Sequence, residues 1–196
     1  MKKGGISFLI ILGILAVLFL WGVGGYNGLV ASQESLNKAW ANVENQYQRR
    51  ADLIPNLVET VKGYAKHESG TLEAVVNARS KATQMTVDPN NLTPEKLQEF
   101  QAAQGELSNA LGRLLLLREA YPDLKANQNF QELQKQLEGT ENRITVARDA
   151  FNQEVQNYNT LVRRFPKNIL AKIFGFDRKP TFEAEKGAEQ APEVKF

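Results

Sequence analysis

The chain has 196 residues, of which 24 are basic and 22 acidic, and this balance argues against a nucleic-acid-binding protein, which usually carries a concentrated basic face. It contains no cysteine, which excludes disulfides, thiolate nucleophiles, thiolate metal sites and a lipidated cysteine. Its single histidine, His67, cannot supply the two Glu-x-x-His motifs of a helical di-iron protein, and no phosphate-binding or dinucleotide-binding glycine motif occurs.

An uncharged apolar run, residues 6–23, lies near the N-terminus. As an α-helix it reaches about 27 Å, which is close to the hydrocarbon thickness of a bilayer. Lys2 and Lys3 precede it, and the first basic residue after it is Lys38, so the positive-inside bias places the following domain outside the cell membrane. A cleaved signal peptide is the alternative, disfavoured because the run is long and no A-x-A site follows. The residues expected to anchor the chain include Ile6, Leu9, Ile10, Leu15, Leu18 and Trp21.

Four glycines follow the apolar run at positions 22, 24, 25 and 28. Glycine is conformationally permissive, so we predict a flexible hinge between the anchor and the domain. The alternative is a small-residue face for helix–helix contact in the membrane.

Apolar residues then recur at 3-4 spacing and predict four helices. The first runs from residue 26 to Glu68, and the second covers Thr71–Gln84. Residues 85–92 are turn-rich and predict a loop. Two polar residues break the apolar stripes, Arg50 in the first helix and Glu154 in the fourth. The stripe of the third helix also includes Gln104 and Arg118.

The third helix is predicted to begin at Thr93 as N-cap with Pro94 in the first position, and to end at Tyr121-Pro122. The fourth is predicted to begin near Asn129, which has capping-box spacing to Glu132, and to end at Phe165-Pro166. The pattern predicts an all-α fold, an antiparallel up-and-down four-helix bundle with long, coiled-coil-like helices. A three-helix bundle with the second and third helices as one broken rod is the alternative.

Two residues of the first helix depart from the regular pattern: Arg50 is a polar residue in the apolar stripe, and Pro55 is a proline inside the helix. Arg50 lies as far from the membrane end of the first helix as Glu141 does in the fourth, so we predict that Arg50 or Arg49 pairs with Glu141 and fixes helix register. The alternative is that these arginines reach solvent along their apolar stems. Pro55 removes the hydrogen bond to the carbonyl of Ala51, which predicts a kink or local opening rather than a recognition role.

After the fourth helix, the basic amphipathic segment 166–176 carries five large apolar side chains. We expect it to lie on the lipid surface, and the alternative is that it covers the open end of the bundle. The chain from residue 178 onward is polar, and we expect it to be loose. The possible membrane-contact residues are Ile169, Leu170, Ile173, Phe174 and Phe176.

Three blocks of the sequence carry a family resemblance. They read YNGLVASQESLNKAWANVENQYQRRADLIPNLVETVKGYAKHE (residues 26–68), YPDLKANQNFQELQKQLEGTENRITVARDAFNQEVQNYN (121–159) and FPKNILAKIFGF (165–176). The chain resembles the LemA family over the anchor and the bundle, leaving out about the last twenty residues. The resemblance implies a bacterial inner-membrane protein with one N-terminal transmembrane helix and a spectrin-like helical bundle. The positions expected to form the signature surface or to set register are Trp40, Arg49, Arg50, Asp52, Pro55, Asn56, Glu141, Asn142 and Arg143.

The resulting domain prediction is a cytoplasmic stub and anchor at 1–25, a helical bundle at 26–176 and a polar tail at 177–196. The resemblance implies no catalytic activity and no cofactor or metal, and a magnetosome-membrane relative suggests membrane organisation. We expect a non-catalytic scaffold whose partners are the lipid bilayer, further copies of itself and a membrane protein, and we expect no nucleic-acid partner. The alternative is an adaptor or stress-linked regulator that presents residues 49–56 to a membrane enzyme such as a protease. A hydrolase is disfavoured because no nucleophile–base pair is visible.

Overall fold

A computed structural model of the chain describes residues 3–183, with side chains from residue 8 onward. The described part is all-helical and contains no β-strand. Short 3₁₀ turns occur at Pro89–Asn91 and Leu117–Glu119. The α-helices are α1 (Lys3–Tyr64), α2 (Ser69–Gln84), α3 (Pro94–Leu116), α4 (Pro122–Ala126), α5 (Gln128–Arg163) and α6 (Lys167–Phe174).

Helix α1 is continuous from the apolar run to the far end of the domain, over 62 residues. It is the one helix of the described part that is long and apolar enough to cross a membrane. The predicted hinge at the glycines is wrong, because all four residues are helical and Gly25 is buried. A helix without a break transmits the direction of the anchor to the domain.

The predicted helix starts are confirmed for α3, where Thr93 Oγ1 accepts a hydrogen bond from the Lys96 amide over 3.3 Å. The N-cap of α5 differs from the prediction, because Asn127, not Asn129, accepts from the Phe130 amide at 2.9 Å. The chain after α1 also turns earlier than predicted, since α1 ends at Tyr64 and α2 already includes Ser69. Helix α4 was not predicted, because Pro122 was assigned only as a helix end.

Helix α1 packs along α5, and α2 packs along α3. The apolar core has two parts. The part far from the anchor joins α1, α2, α3, α4 and the start of α5. The part near the anchor joins α1, the start of α3, α5 and α6. It also includes Val87 and Leu92 of the loop 85–92 and Phe182, and it contains no residue of α2.

The predicted stripe of α5 drifts near its end. Val155 and Val162 are buried, whereas Glu154 is half-buried. Phe165 lies beyond the end of α5 and is 76% exposed. Over a long straight helix, a strict heptad pattern moves around the axis by about 20° per heptad, and this drift exchanges neighbouring positions at the core.

The segment 177–183 lies against α5 rather than extending as a loose tail. The side chain of Asn159 bonds both the amide and the carbonyl of Lys179, and Asn152 does the same for Phe182. The Phe182 ring is 6% exposed. The prediction of a loose chain from residue 178 is therefore wrong for 178–183. The side chains of Asn152 and Asn159 hydrogen-bond the backbone of this segment, and the Phe182 ring enters the core. The remainder of that prediction, 184–196, lies outside the described residues.

Candidate functional site

The predicted pairing of Arg50 with Glu141 is present in the structure. Arg50 Nη1 donates to Glu141 Oε1 at 2.8 Å and to Ser108 Oγ at 2.7 Å. Arg50 Nη2 donates to Gln104 Oε1 at 2.6 Å and to the Gln104 carbonyl at 3.3 Å. The guanidinium also lies 5.1 Å from the centre of the Tyr47 ring. One arginine thus links α1 to both α3 and α5.

Arg50 is 1% exposed, so the alternative that it reaches solvent is wrong. Glu141 is 46% exposed, and the ion pair therefore runs from the core to the surface. Gln104 is also buried and donates through Nε2 to the carbonyl of Ala82 in α2, at 3.3 Å. The four elements α1, α2, α3 and α5 meet at this polar centre, which we call the arginine centre (Arg50, Gln104, Ser108 and Glu141).

Two clefts flank the arginine centre. One, of about 170 Å³, lies between α1, α3 and α5 and includes Arg148 in its wall. The other, of about 310 Å³, lies between α1, α3 and the end of α2, and its floor includes Phe100 and Leu107. The larger cleft exists because α2 ends at Gln84, which leaves one side of α1 without a helical neighbour.

Pro55 lies inside α1 without ending it. Because proline has no amide hydrogen, the Ala51 carbonyl loses its partner within the helix. Arg79 of α2 replaces that partner, since its Nε donates to the Ala51 carbonyl at 2.8 Å. Sequence reasoning identified the freed carbonyl but not Arg79, because nothing in the spacing of α2 indicates which of its polar residues faces α1.

The other signature residues are placed as follows. Trp40 is buried in the core near the anchor, against Phe100, Phe151 and Phe182. The exposed signature residues are Arg49, Asp52, Pro55, Asn56, Asn142 and Arg143. Arg49, Asp52 and Asn56 share one outer face of α1 by their i, i+3, i+7 spacing. The signature thus divides into a buried set and a surface set.

A second site lies where α6 packs against α1, directly after the apolar run. A β-carbon at Gly25 would lie 2.5 Å from Cδ1 of Leu170, so glycine leaves the room for this approach. The Tyr26 ring packs edge-on against Phe174 and Phe176, with centroid distances of 4.9 and 5.8 Å. Segment 166–176 therefore covers the open end of the helices with one face. We call this contact the α1–α6 junction.

The other face of α6 is open. Ile169 is 50% exposed, Ile173 67% and Phe174 55%, whereas Leu170 is buried. Among the predicted anchor residues, Leu9, Ile10, Leu15, Leu18 and Trp21 are exposed along α1, and the side chain of Ile6 lies outside the described residues. Apolar surface on α6 therefore adjoins the apolar surface of α1.

Two ionisable groups have shifted pKa values where segment 177–183 packs on α5: Tyr158 of α5 and Lys179 of the segment. Burial, and then the negative charge of Asp177, raise the pKa of Tyr158 to about 12. Burial lowers the pKa of Lys179, although the carboxylates of Asp177 and Asp88 oppose that shift, and its Nζ donates to the carbonyl of Asn90. These contacts join the segment to the loop before α3, which explains why it follows the surface of the bundle.

The chain is similar in sequence to several known proteins. The chain is 28% identical to the magnetosome protein MamQ 2 of Paramagnetospirillum magneticum, an alignment that covers 95% of this chain and 73% of that protein. It is 28% identical to MamQ of Magnetospirillum gryphiswaldense over 85% of this chain and 67% of that protein. It is 23% identical to Protein LemA of Metamycoplasma hominis over 90% of this chain and 76% of that protein.

The model of the LemA family matches residues 39–196. The match starts after the apolar run and includes the last twenty residues, which the sequence resemblance had left out. The apolar N-terminal helix and these relatives together indicate a membrane-associated protein. With most of its length matched, the chain belongs to the LemA family.

Proposed function

We propose that this chain is a membrane-anchored, non-catalytic helical scaffold that self-associates and organises envelope proteins or the shape of the membrane. The observation that carries the proposal is the unbroken helix α1, which joins the span to the whole length of the domain. A rigid connection holds the domain in one posture on the bilayer, and repeated contacts between copies need a fixed posture. Two of the relatives are magnetosome proteins, which supports a role at a membrane.

The polar groups of the domain support a structural role. The buried guanidinium of Arg50 is occupied by acceptors from the protein itself. His67 is exposed in the turn after α1. No group of three or more His, Asp or Glu residues within the described part is arranged to hold a metal ion. The strongest polar constellation therefore ties helices together and offers no reactive pair.

Self-association is tested by extracting the full chain from native membranes into polymer-bounded lipid nanodiscs. Mass photometry then measures the mass of single particles. We expect discrete oligomers that persist when expression is lowered, and the same species after extraction in mild detergent. A single-pass protein of similar mass, expressed at the same level, controls for accidental co-capture. Monomers under both conditions would contradict the proposal.

A regulator of a membrane enzyme is the second candidate, supported by the outer face of α1 that carries Arg49, Asp52 and Asn56. Arg50 is buried, so a partner would meet Arg49 instead. Proximity labelling of the full chain should then recover one enzyme in equimolar amount. The Asn56→Ala variant should lose it, whereas Asn109→Ala, at an exposed asparagine on α3 outside the signature set, should keep it. Labelling that is equal in both variants would argue against this candidate.

A further inference from the structure

The net positive charge of the chain is concentrated in and around α6. Residues 163–178 contain five basic residues and one acidic residue, a larger positive excess than the +2 of the whole chain. Of these, Arg163, Arg164 and Lys172 are exposed. Lys167 lies across α1, with its Nζ 3.4 Å from the place of a β-carbon on Gly28. The basic groups therefore surround the end of the domain from which the apolar run of α1 continues.

The height of α6 follows from its contact with Gly25. This residue comes two positions after the apolar run, which is about 3 Å along a helix that crosses the bilayer upright. Leu170 packs on Gly25, so the axis of α6 passes close to the edge of the hydrocarbon. A helix at that height meets lipid headgroups on any side that the protein does not cover.

The apolar arc of α6 is wider than its contact with the protein. At about 100° per residue, Ile169, Ile173, Leu170 and Phe174 follow one another over an arc of about 140°. Leu170 is buried against α1, but Ile169 and Ile173 are at least half exposed. Phe165, before the helix, is 76% exposed. In water this continuous apolar patch would be unfavourable, whereas at a bilayer surface it is buried by lipid.

We propose that α6 is a membrane-surface helix that binds the anionic phospholipids around the point where α1 leaves the bilayer. Ile169 and Ile173 enter the boundary between headgroups and acyl chains. The guanidinium groups of Arg163 and Arg164 and the ammonium group of Lys172 bind lipid phosphates. The inference rests on the membrane anchoring in the proposed function but not on self-association.

The chain has no cysteine, so a nitroxide label at a single introduced cysteine reports one position. The full chain with Ile173→Cys is reconstituted in vesicles of phosphatidylcholine, with or without an equal amount of phosphatidylglycerol. Collisions with oxygen report burial in lipid, and collisions with a water-soluble nickel complex report exposure to water. We expect the label in the mixed vesicles to be oxygen-accessible and several-fold less nickel-accessible than a label at Thr145→Cys, an exposed position on α5.

The charge dependence has its own variants. Replacing Arg163, Arg164 and Lys172 by Gln should restore nickel access at position 173 in mixed vesicles, as should about 1 M salt, which shortens the screening length to about 3 Å. Replacing three exposed basic residues at the far end, Lys66, Arg113 and Lys135, should change nothing. Circular dichroism checks that each variant keeps its helix content.

Three results would overturn the proposal. The label at 173 is as nickel-accessible as the label at 145 in both kinds of vesicle. It is equally embedded with and without phosphatidylglycerol. Or it is shielded from both quenchers and shows spin–spin broadening, which would identify a second copy of the chain as the occupant. Flotation with the vesicles tests anchoring separately, so a failure of the membrane-surface helix is distinguishable from a failure of the anchor.

Discussion

Arg50 is a charged side chain held in the core by acceptors from two neighbouring helices. Removing such a charge from water costs several kcal/mol, so the surrounding hydrogen bonds offset a penalty that an apolar residue would not carry. These hydrogen bonds give specificity, because Nη1 and Nη2 of Arg50 reach their acceptors only when α1, α3 and α5 lie at the observed heights. Glu141 reaches water on one side, which keeps its own desolvation small.

The pairing is tested by a double-mutant cycle on the full chain. Arg50→Met should lower the free energy of unfolding by about 3 kcal/mol, because it removes the donor that the buried amide of Gln104 needs. Glu141→Gln should cost about 1 kcal/mol, and this cost should vanish in the Arg50→Met background, which is a coupling of about 1 kcal/mol. Chemical denaturation in detergent measures each value. Glu138→Gln, an exposed acid one turn earlier, is the control, and a coupling equal to that of the control would contradict a register role.

How much of this centre the sequence predicts depends on the residue. Arg50 and Glu141 are matched by counting along two helices whose membrane ends are known, and equal counts give equal heights. Gln104 was placed inward by periodicity, but its partner could not be named. The height of α3 depends on the path of residues 85–92, and a loop conformation is not contained in helical spacing. Ser108 gave no signal, since a serine on a helix flank is usually solvated.

At the scale of elements, α1 stays one helix across a proline because another helix supplies the missing donor. An unsatisfied buried carbonyl costs about 1–3 kcal/mol, and Arg79 Nε removes that cost at the Ala51 carbonyl. The sequence of α1 alone cannot reveal this donor, because Arg79 belongs to α2. The same contact fixes α2 against α1 near the arginine centre.

This substitution of donors has a measurable consequence. Arg79→Met keeps the apolar stem and should destabilise the chain by about 1–2 kcal/mol, since it leaves the Ala51 carbonyl without a donor. In a Pro55→Ala background the helix supplies its own amide hydrogen, so the same change should cost less than about 0.5 kcal/mol. Arg113→Met on the exposed side of α3 controls for loss of charge. Equal costs of Arg79→Met in both backgrounds would show that the carbonyl is not what Arg79 serves.

The segment 177–183 acts as an element although it has no regular secondary structure. Phe182 stacks on Trp40 with a centroid distance of 5.9 Å and an interplanar angle of 10°. It closes the half of the core that α2 does not reach. Its burial was missed because a single phenylalanine among polar residues has no periodicity.

Removing that ring should open the core near the anchor. In a Trp21→Phe background, Trp40 is the sole tryptophan, so its emission reports this half of the domain. Phe182→Ala should shift the emission to the red and lower the free energy of unfolding by about 3 kcal/mol, as for other buried phenylalanines. Thr181→Ala, an exposed neighbour, should leave both unchanged. An unshifted emission would mean that the segment does not cover Trp40 in solution.

For the whole molecule, the α1–α6 junction and the unbroken α1 together set the posture of the domain. The unbroken α1 fixes the domain relative to the anchor. The proposed lipid contacts of α6, which packs beside the anchor at Gly25, would limit the tilt of both in the bilayer. All-helical class and a long first helix were predictable from periodicity, which local spacing determines. The junction was only half predictable, because an amphipathic segment can cover either lipid or protein, and α6 has a face for protein and an open face.

The charges that flank the apolar run predict on which side of the membrane the domain lies. The positive-inside bias counts charges near a span along the sequence, where Lys2 and Lys3 precede the span and none follows before Lys38. The basic residues of α6 are close only in the folded structure, so they cannot direct insertion, which precedes folding. We therefore predict an external domain. Asn77→Cys should react with an impermeant maleimide once the outer membrane is permeabilised. Gly4→Cys, which keeps Lys2 and Lys3, should react only after the inner membrane is permeabilised too. The reverse pattern would mean that the folded basic cluster faces the cytoplasm, where anionic lipid would attract it as strongly, and that sequence counting fails for this chain.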